Sequence, residues 1–302
     1  LMTLQGEGLV YRASFAGEEL APIEDISLSA DNESLYLAYT PPDSAATVVA
    51  TLSPELEEIN TVRMDGLISP CIKAYNDHVY LACIQGEEIV LRVLSRNLVV
   101  MKDFRISVEE PTDVYILPYK EGILLAYVHR FLEEDLLHQD VFLKKLDFSF
   151  NEIAETRLTY WDYWEDPCMA MYENSIFVSS ANAPLYGFLD RHLIIVQLNE
   201  NLEALGQIRY PKDASEWRNI TQPDMIAVED GVVLFFRMTD RNYSYKMFTW
   251  QGSVTVVPGN IRTIEIAEDL TIQAEAAVSE DYIEEYTPTA VSAFGRVYLG
   301  YC

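Results

Sequence analysis

Four prolines in this chain share one fixed distance to an aliphatic residue downstream. Pro70, Pro167, Pro223 and Pro288 each stand nine residues ahead of an aliphatic residue: Val79, Ile176, Val232 and Val297. Two further segments keep the same length without the proline, from Ile26 to Leu35 and from Val114 to Ile123. Self-similarity at a spacing of tens of residues predicts a repeat architecture. After each segment comes a second run of Val, Ile, Leu and aromatic residues: 35–39, 79–83, 123–127, 176–180, 232–236 and 297–301. Such composition favours strands. The links between the two runs carry turn formers, among them Asn76-Asp77 and Asp230-Gly231, which accept positive φ at little cost.

A second recurring turn follows: an aliphatic residue, three turn residues, then another apolar residue. It occurs at Leu52–Leu56, Leu94–Leu98, Leu146–Phe150, Leu198–Leu202 and Ile266–Leu270. The spacing predicts a third and fourth strand on either side of it. No sixth copy follows Val297, and a looser equivalent stands at 9–23. The expected fold is therefore an all-β, six-bladed β-propeller, residues 1–302 forming one domain, with the last blade closed by strands from both termini. Closure of that kind removes an open sheet edge. Five blades with the chain ends outside the ring, and a pair of β-sandwiches, are the alternatives.

Composition narrows the function. The 302 residues hold 21 Lys and Arg against 48 Asp and Glu, a net charge of -27. That charge argues against nucleic acid and anionic membrane surfaces as partners. No apolar run approaches the ~20 residues of a membrane span, so membrane insertion is not expected. The four cysteines form no CxxC and no His cluster has zinc-finger spacing, so neither a metal nor another cofactor is expected. Cys71 and Cys168 follow repeat prolines and read as small buried hydrophobes.

Three groups of residues carry candidate chemistry. Just before the six inner strands stand Asp25, Ser69, Asp113, Asp166, Gln222 and Thr287, all polar. Inner strands run beside a propeller axis, so these side chains are expected to converge on the channel mouth. Carboxylates crowded there raise one another's pKa, which acid–base cleavage of a glycoside requires. The blander expectation is that they cap strand ends or bind turn amides. The second group is the aromatic stretch 160–164, with Trp161 and Trp164, followed by Glu165; Trp217, Tyr286 and Asp224 border other inner strands. Flat rings beside carboxylates suit sugars, although rings wedged between blades would be plain packing. The third is a set of loop cations, His129, Arg130, Arg191, His192, Arg218, Arg237 and Arg241, suited to an anionic ligand group or to local acids. The loops 129–140, 181–192 and 238–260 are longer than their counterparts, and unequal loops on one face mark a binding side.

Glu165-Asp166-Pro167 resembles the Glu-Asp-Pro segment of the β-mannoside phosphorylases, and Asp-Pro at a strand start is similar to the wider furanosidase-like glycoside hydrolases. The resemblance implies a propeller with acidic residues around a sugar pocket. It implies Asp166 as the acid, with Asp25 and Asp113 as base or pKa-setting groups. Those families have five blades, and Cys168 stands where the phosphorylases have arginine. The repeated Ser-x-Asp-x-Gly-x-Thr-Trp box of sialidases and the recurring Trp-Asp of WD40 blades are absent from the sequence. Together these features predict a ligand-binding propeller directed at carbohydrate or another small ligand. Its site would be the mouth and the long loops of blades three to five, with Trp161, Trp164, Glu165, Trp217, Arg218, Gln222, Asp224 and Tyr286 as ligand contacts. The alternatives are a glycoside hydrolase or phosphorylase using Asp25, Asp113 and Asp166, and a scaffold for a protein partner.

Overall fold

A computed structural model describes residues 2–4, 11–12, 25–41, 44–133, 136–159, 163–183, 192–212, 218–240, 245–249, 252–256, 259–278, 288–294 and 296–300. Among them every regular element is a strand, and no helix is long and apolar enough to cross a membrane. The chain is an all-β propeller. One sheet runs Ile26–Ala30, Leu35–Tyr39, Ala46–Leu52 and Glu58–Asp65 in chain order. The next runs Ile68–Tyr75, His78–Gln85, Glu88–Ser95 and Val100–Ser107.

The third sheet holds two meanders. Pro111–Tyr119, Gly122–Glu133, Leu136–Leu146 and Glu152–Arg157 form one; Tyr163–Tyr172, Ser175–Ala183, His192–Leu198 and Ala204–Tyr210 form the other. A single parallel bridge, Gln139 to Tyr163, fuses them. Then come Arg218–Val228, Gly231–Asp240, Gly259–Ala267 and Ile272–Ala277, with Tyr245–Thr249 and Gly252–Val256 as a separate two-stranded hairpin. The last sheet pairs Thr289–Ala293, Arg296–Gly300, Met2–Leu4 and Tyr11–Arg12. Among the described residues, hydrogen bonding thus gives five sheets of four or more strands and one pair, rather than six equal sheets.

The two recurring sequence signals have distinct physical causes. In the five-residue turn the last residue is left-handed each time: Leu56, Leu98, Phe150, Leu202 and Leu270 have φ of 60–70°. Its amide closes the turn on residue i−3, as in Leu98 N to Ser95 O at 2.9 Å. The first turn residue reinforces it from its side chain. Asp147 Oδ1 accepts from the Ser149 and Asn151 amides, and Asn199 Oδ1 from those of Asn201 and Glu203. A bulky residue in the left-handed region costs about 1–2 kcal/mol. Burying an apolar side chain returns roughly 1.5–3 kcal/mol, and Leu56, Leu98, Phe150 and Leu202 are all buried. Burial wins, so an apolar residue stands where glycine would otherwise be favoured.

The repeat proline marks a β-bulge inside the inner strand, not the strand's start. The register slips between Ile68 and Cys71, between Glu165 and Cys168, and between Thr221 and Asp224. At each slip the residue before the proline has positive φ: Ser69 50°, Asp166 52°, Gln222 53°. Proline lacks an N–H, so a bulge is where a strand tolerates it. A fourth slip, between Pro111 and Val114, carries Asp113.

Three expectations change. The region 129–140 is not a loop, because Gly122–Glu133 and Leu136–Leu146 continue as one long hairpin. The region 238–260 contains the extra hairpin. At the N-terminus, Met2–Leu4 is the strand that pairs with Arg296–Gly300, and Tyr11–Arg12 lies outside it. Residues 9–10 and 13–23 of the expected pair lie outside the described residues.

Glycine is obligatory at two equivalent hairpins. A Cβ on Gly122 or Gly231 would stand 2.1 Å from the carbonyl oxygen of Leu146 or Ile266 on the third strand of its sheet. Gly231→Ala is expected to cost at least about 2 kcal/mol. Gly86→Ala has open space at φ 60° and should cost about 1 kcal/mol. Urea denaturation of both variants checks the ordering.

Candidate functional site: the channel mouth

The four bulges aim polar side chains at one place, as bulges beside functional sites do. A cavity of about 100 Å³ is lined by Asp25, Ser69, Asp113, Asp166 and Gln222, with Asp224, Tyr115 and Thr289 among the residues below. The structure therefore brings together five of the six polar residues expected at the mouth. The sixth, Thr287, lies outside the described residues.

Each mouth carboxylate leans on the next inner strand. Ser69 Oγ donates to Asp25 Oδ2 at 3.2 Å. The Asp166 amide donates to the Asp113 carboxylate, as does Thr112 Oγ1 at 2.9 Å. The Gln222 amide donates to Asp166 Oδ2 at 3.0 Å. Asp113 carries the perturbed pKa. Burial raises it most; the Thr112 hydroxyl and Asp166 amide pull it down; the charges of Glu165 and Asp25 push it up. The balance brings it to about 6. At neutral pH a carboxyl so placed exchanges its proton readily, the property wanted of a general acid.

A second ring lies two residues further along each inner strand: Ser27, Cys71, Tyr115, Cys168, Asp224 and Thr289. Four of its side chains, Ser27, Cys71, Asp224 and Thr289, accept an amide of the neighbouring strand. Ile72 N donates to Ser27 Oγ at 3.0 Å, Ile116 N to Cys71 Sγ at 3.4 Å, and Leu28 N to Thr289 Oγ1 at 3.0 Å. Asp224 is the most engaged. Tyr115 Oη and the Met225 amide donate to Oδ1; Thr289 Oγ1 and the Ala290 amide donate to Oδ2. The Tyr115–Asp224 bond passes over the intervening inner strand Tyr163–Tyr172, and both residues line the cavity. Sequence reasoning missed this ring, although its period-two offset from the first was legible.

The other expected contacts fare differently. Trp164, expected to offer a flat face at the mouth, is 3% exposed and packs on Val128 and Val141. The pleat turns it into the space between the two meanders of the eight-stranded sheet. Asp224 borders the cavity from below, but its four hydrogen bonds make it a tie between strands. Glu165 is near enough to raise Asp113 without lining the cavity. Trp161, Trp217 and Tyr286 lie outside the described residues, as does the side chain of Arg218. Among the described residues no group of three or more His, Cys, Asp or Glu is placed to hold a metal ion. Cys71, Cys83 and Cys168 are buried free thiols, and burial raises the pKa of each.

No family model matches the chain, and no curated protein sequence is similar to it. Solved structures share its fold at low identity. An α-L-arabinofuranosidase from Lactobacillus brevis is similar with a TM-score of 0.53 and 9% identity, over 83% of this chain and 93% of that one. YjhT is similar at 0.51 and 7%, over 89% and 87%. An exo-β-1,3-galactanase from Clostridium thermocellum is similar at 0.50 and 9%, over 83% and 63%. The furanosidase-like resemblance of Glu165-Asp166-Pro167 thus extends to the propeller as a whole, and at these identities it is a likeness of fold.

Two variants test the electrostatics. Asp224→Ala leaves four donors without their acceptor and is expected to cost at least about 3 kcal/mol in urea denaturation. Asp113 has a folded pKa above its unfolded value of 3.8. Its contribution to stability is whole below 3.8 and is lost as pH rises through about 6. Asp113→Asn is therefore expected to be more stable than the native protein at pH 7, by roughly 1 to 3 kcal/mol. The difference should shrink towards zero at pH 4, as read from denaturation midpoints.

Proposed function

We propose that this chain cleaves glycosidic bonds at the channel mouth. Asp113 is the proton donor to the leaving oxygen. Asp25 is the carboxylate that activates water or meets the anomeric carbon, and Asp166 positions Asp113 through its amide. One observation supports this above the others: aspartates from three separate inner strands border one cavity, and one of them is held near neutrality. A raised acid beside ionised carboxylates is the pairing that glycoside cleavage uses. The sequence resemblance gave the acid role to Asp166; the perturbed pKa favours Asp113. The similar structures named for arabinofuranose and galactan cleavage favour the same class of substrate.

The proposal includes the architecture: residues 1–302 form one domain of six blades. The eight-stranded sheet counts as two, since among the described residues its meanders share a single ladder pair, Gln139 with Tyr163. The last blade is the sheet built from both chain ends.

A second reading, a carbohydrate-binding propeller without cleavage, is favoured by the hydrogen bonds that Asp25 and Asp166 already accept from neighbouring strands. A panel of chromogenic aryl glycosides, including arabinofuranosides and galactosides, separates the two. Cleavage is expected, with activity falling as pH rises through about 6 and Asp113→Asn losing at least about 100-fold in kcat. An Asp113→Asn variant as fast as the native protein would remove Asp113 from the reaction. Glycan binding with no turnover would establish the second reading.

A further inference from the structure

Arg130 and Gln139 face each other across the long hairpin of the third sheet. Gln139 is 2% exposed. Its Oε1 accepts from Arg130 Nε at 3.2 Å and from Nη2 at 3.0 Å. Its Nε2 donates to the Trp164 carbonyl at 2.8 Å. The backbone of the same residue makes the parallel bridge to Tyr163. On the other side, Ser180 Oγ donates to the Glu165 carbonyl at 2.7 Å. The segment 163–165 is thus held from two directions immediately before the bulge that carries Asp166.

The residue after Gln139 secures the chain on the upstream side. Asp140 is fully buried. It accepts from Thr159 Oγ1 at 3.0 Å and from Arg157 Nε at 3.0 Å. Consecutive residues of one strand therefore fix both Thr159 and Trp164. A primary amide can accept from a guanidinium at one end and donate to a carbonyl at the other, so Gln139 suits both of its neighbours.

We propose that Gln139, held by Arg130, is a positioning residue of the mouth: through the Trp164 carbonyl it fixes where Glu165 and Asp166 stand relative to Asp113. The role rests on reading the mouth as the reaction centre. Small displacements of a reacting constellation are costly, since about 1 Å can remove 100-fold in rate. Asp113 is faced by Asp25, Glu165 and Asp166, with the Thr112 hydroxyl bonded to it. The Glu165 charge acts on it more strongly than the Asp166 amide does, so loosening the segment lowers the Asp113 midpoint.

The test is a carboxyl carbon NMR titration of Asp113 in the native protein, Gln139→Met and Gln139→Glu, with thermal unfolding to verify that each variant is folded. Met keeps the volume and loses both bonds. Glu keeps the bond to Arg130 and sets an acceptor against the Trp164 carbonyl. In both, the midpoint is expected to fall by about half a unit or more, with kcat reduced about tenfold and KM within twofold. Arg130→Met, which releases Gln139 without replacing it, should give a smaller shift in the same direction, and Arg130→Lys should restore part of it. A midpoint that stays or rises in folded variants overturns the proposal. If the native protein cleaves no glycoside, the titration still decides the positioning role. If glycosides are cleaved and the titration does not move, positioning fails alone.

Discussion

The structure depends on hydrogen bonds that the backbone amides of one inner strand donate to side chains of the strand before it. An inner strand is the edge of its sheet, and an edge leaves amides that need partners. Neighbouring inner strands splay too far apart to pair as a ladder. Ser27, Cys71, Asp166, Asp224 and Thr289 span the gap by one side-chain length. Thr289 completes the circuit, since its hydroxyl donates to Asp224 and accepts from Leu28. The last inner strand is thereby joined to the first.

The same device creates the site. A side chain that bonds the next strand's amide must be polar, so a ring of such residues is a ring of polarity around the axis. At the second level the demand is satisfied, and Asp224 has no acceptor capacity left for a ligand. One level up, burial and neighbouring charge outweigh the two bonds Asp113 receives. The mouth is where structural hydrogen bonding is insufficient to hold a carboxyl at its ordinary low pKa. Stability and chemistry thus meet in residues of one kind, separated by two positions along each strand.

Much of this was legible in the sequence because repetition converts weak signals into strong ones. Five copies of the Leu-x-x-x-Leu turn gave the strand order, and the polar residue before each repeat proline gave the mouth. What escaped was local. Pro70, Pro167 and Pro223 look like strand starts in the sequence, but each lies at a bulge, because a proline's missing amide is tolerated in either place. Trp164 looks like a surface ring. A strand's alternation has two phases, and the bulge at Glu165–Cys168 changes the phase where it matters. Arg130 stands out in the sequence only as a loop cation, and Gln139 carries no signal, since a buried amide in a long hairpin resembles any polar loop residue until its partners are known.

The bridge between Gln139 and Tyr163 makes the ring unequal. The strands bearing Asp113 and Asp166 are tied twice, directly by the bond from the Asp166 amide to the Asp113 carboxylate and further out by that bridge. The strand that follows Asp25 belongs to a separate sheet, and the Ile68–Tyr75 strand stands between it and the strand bearing Asp113. A guest that demands more room at the axis would find one wall stiff and the other compliant. Accommodation would fall on the Asp25 side, and the gap between that group and its two counterparts is the dimension of the mouth left free to vary.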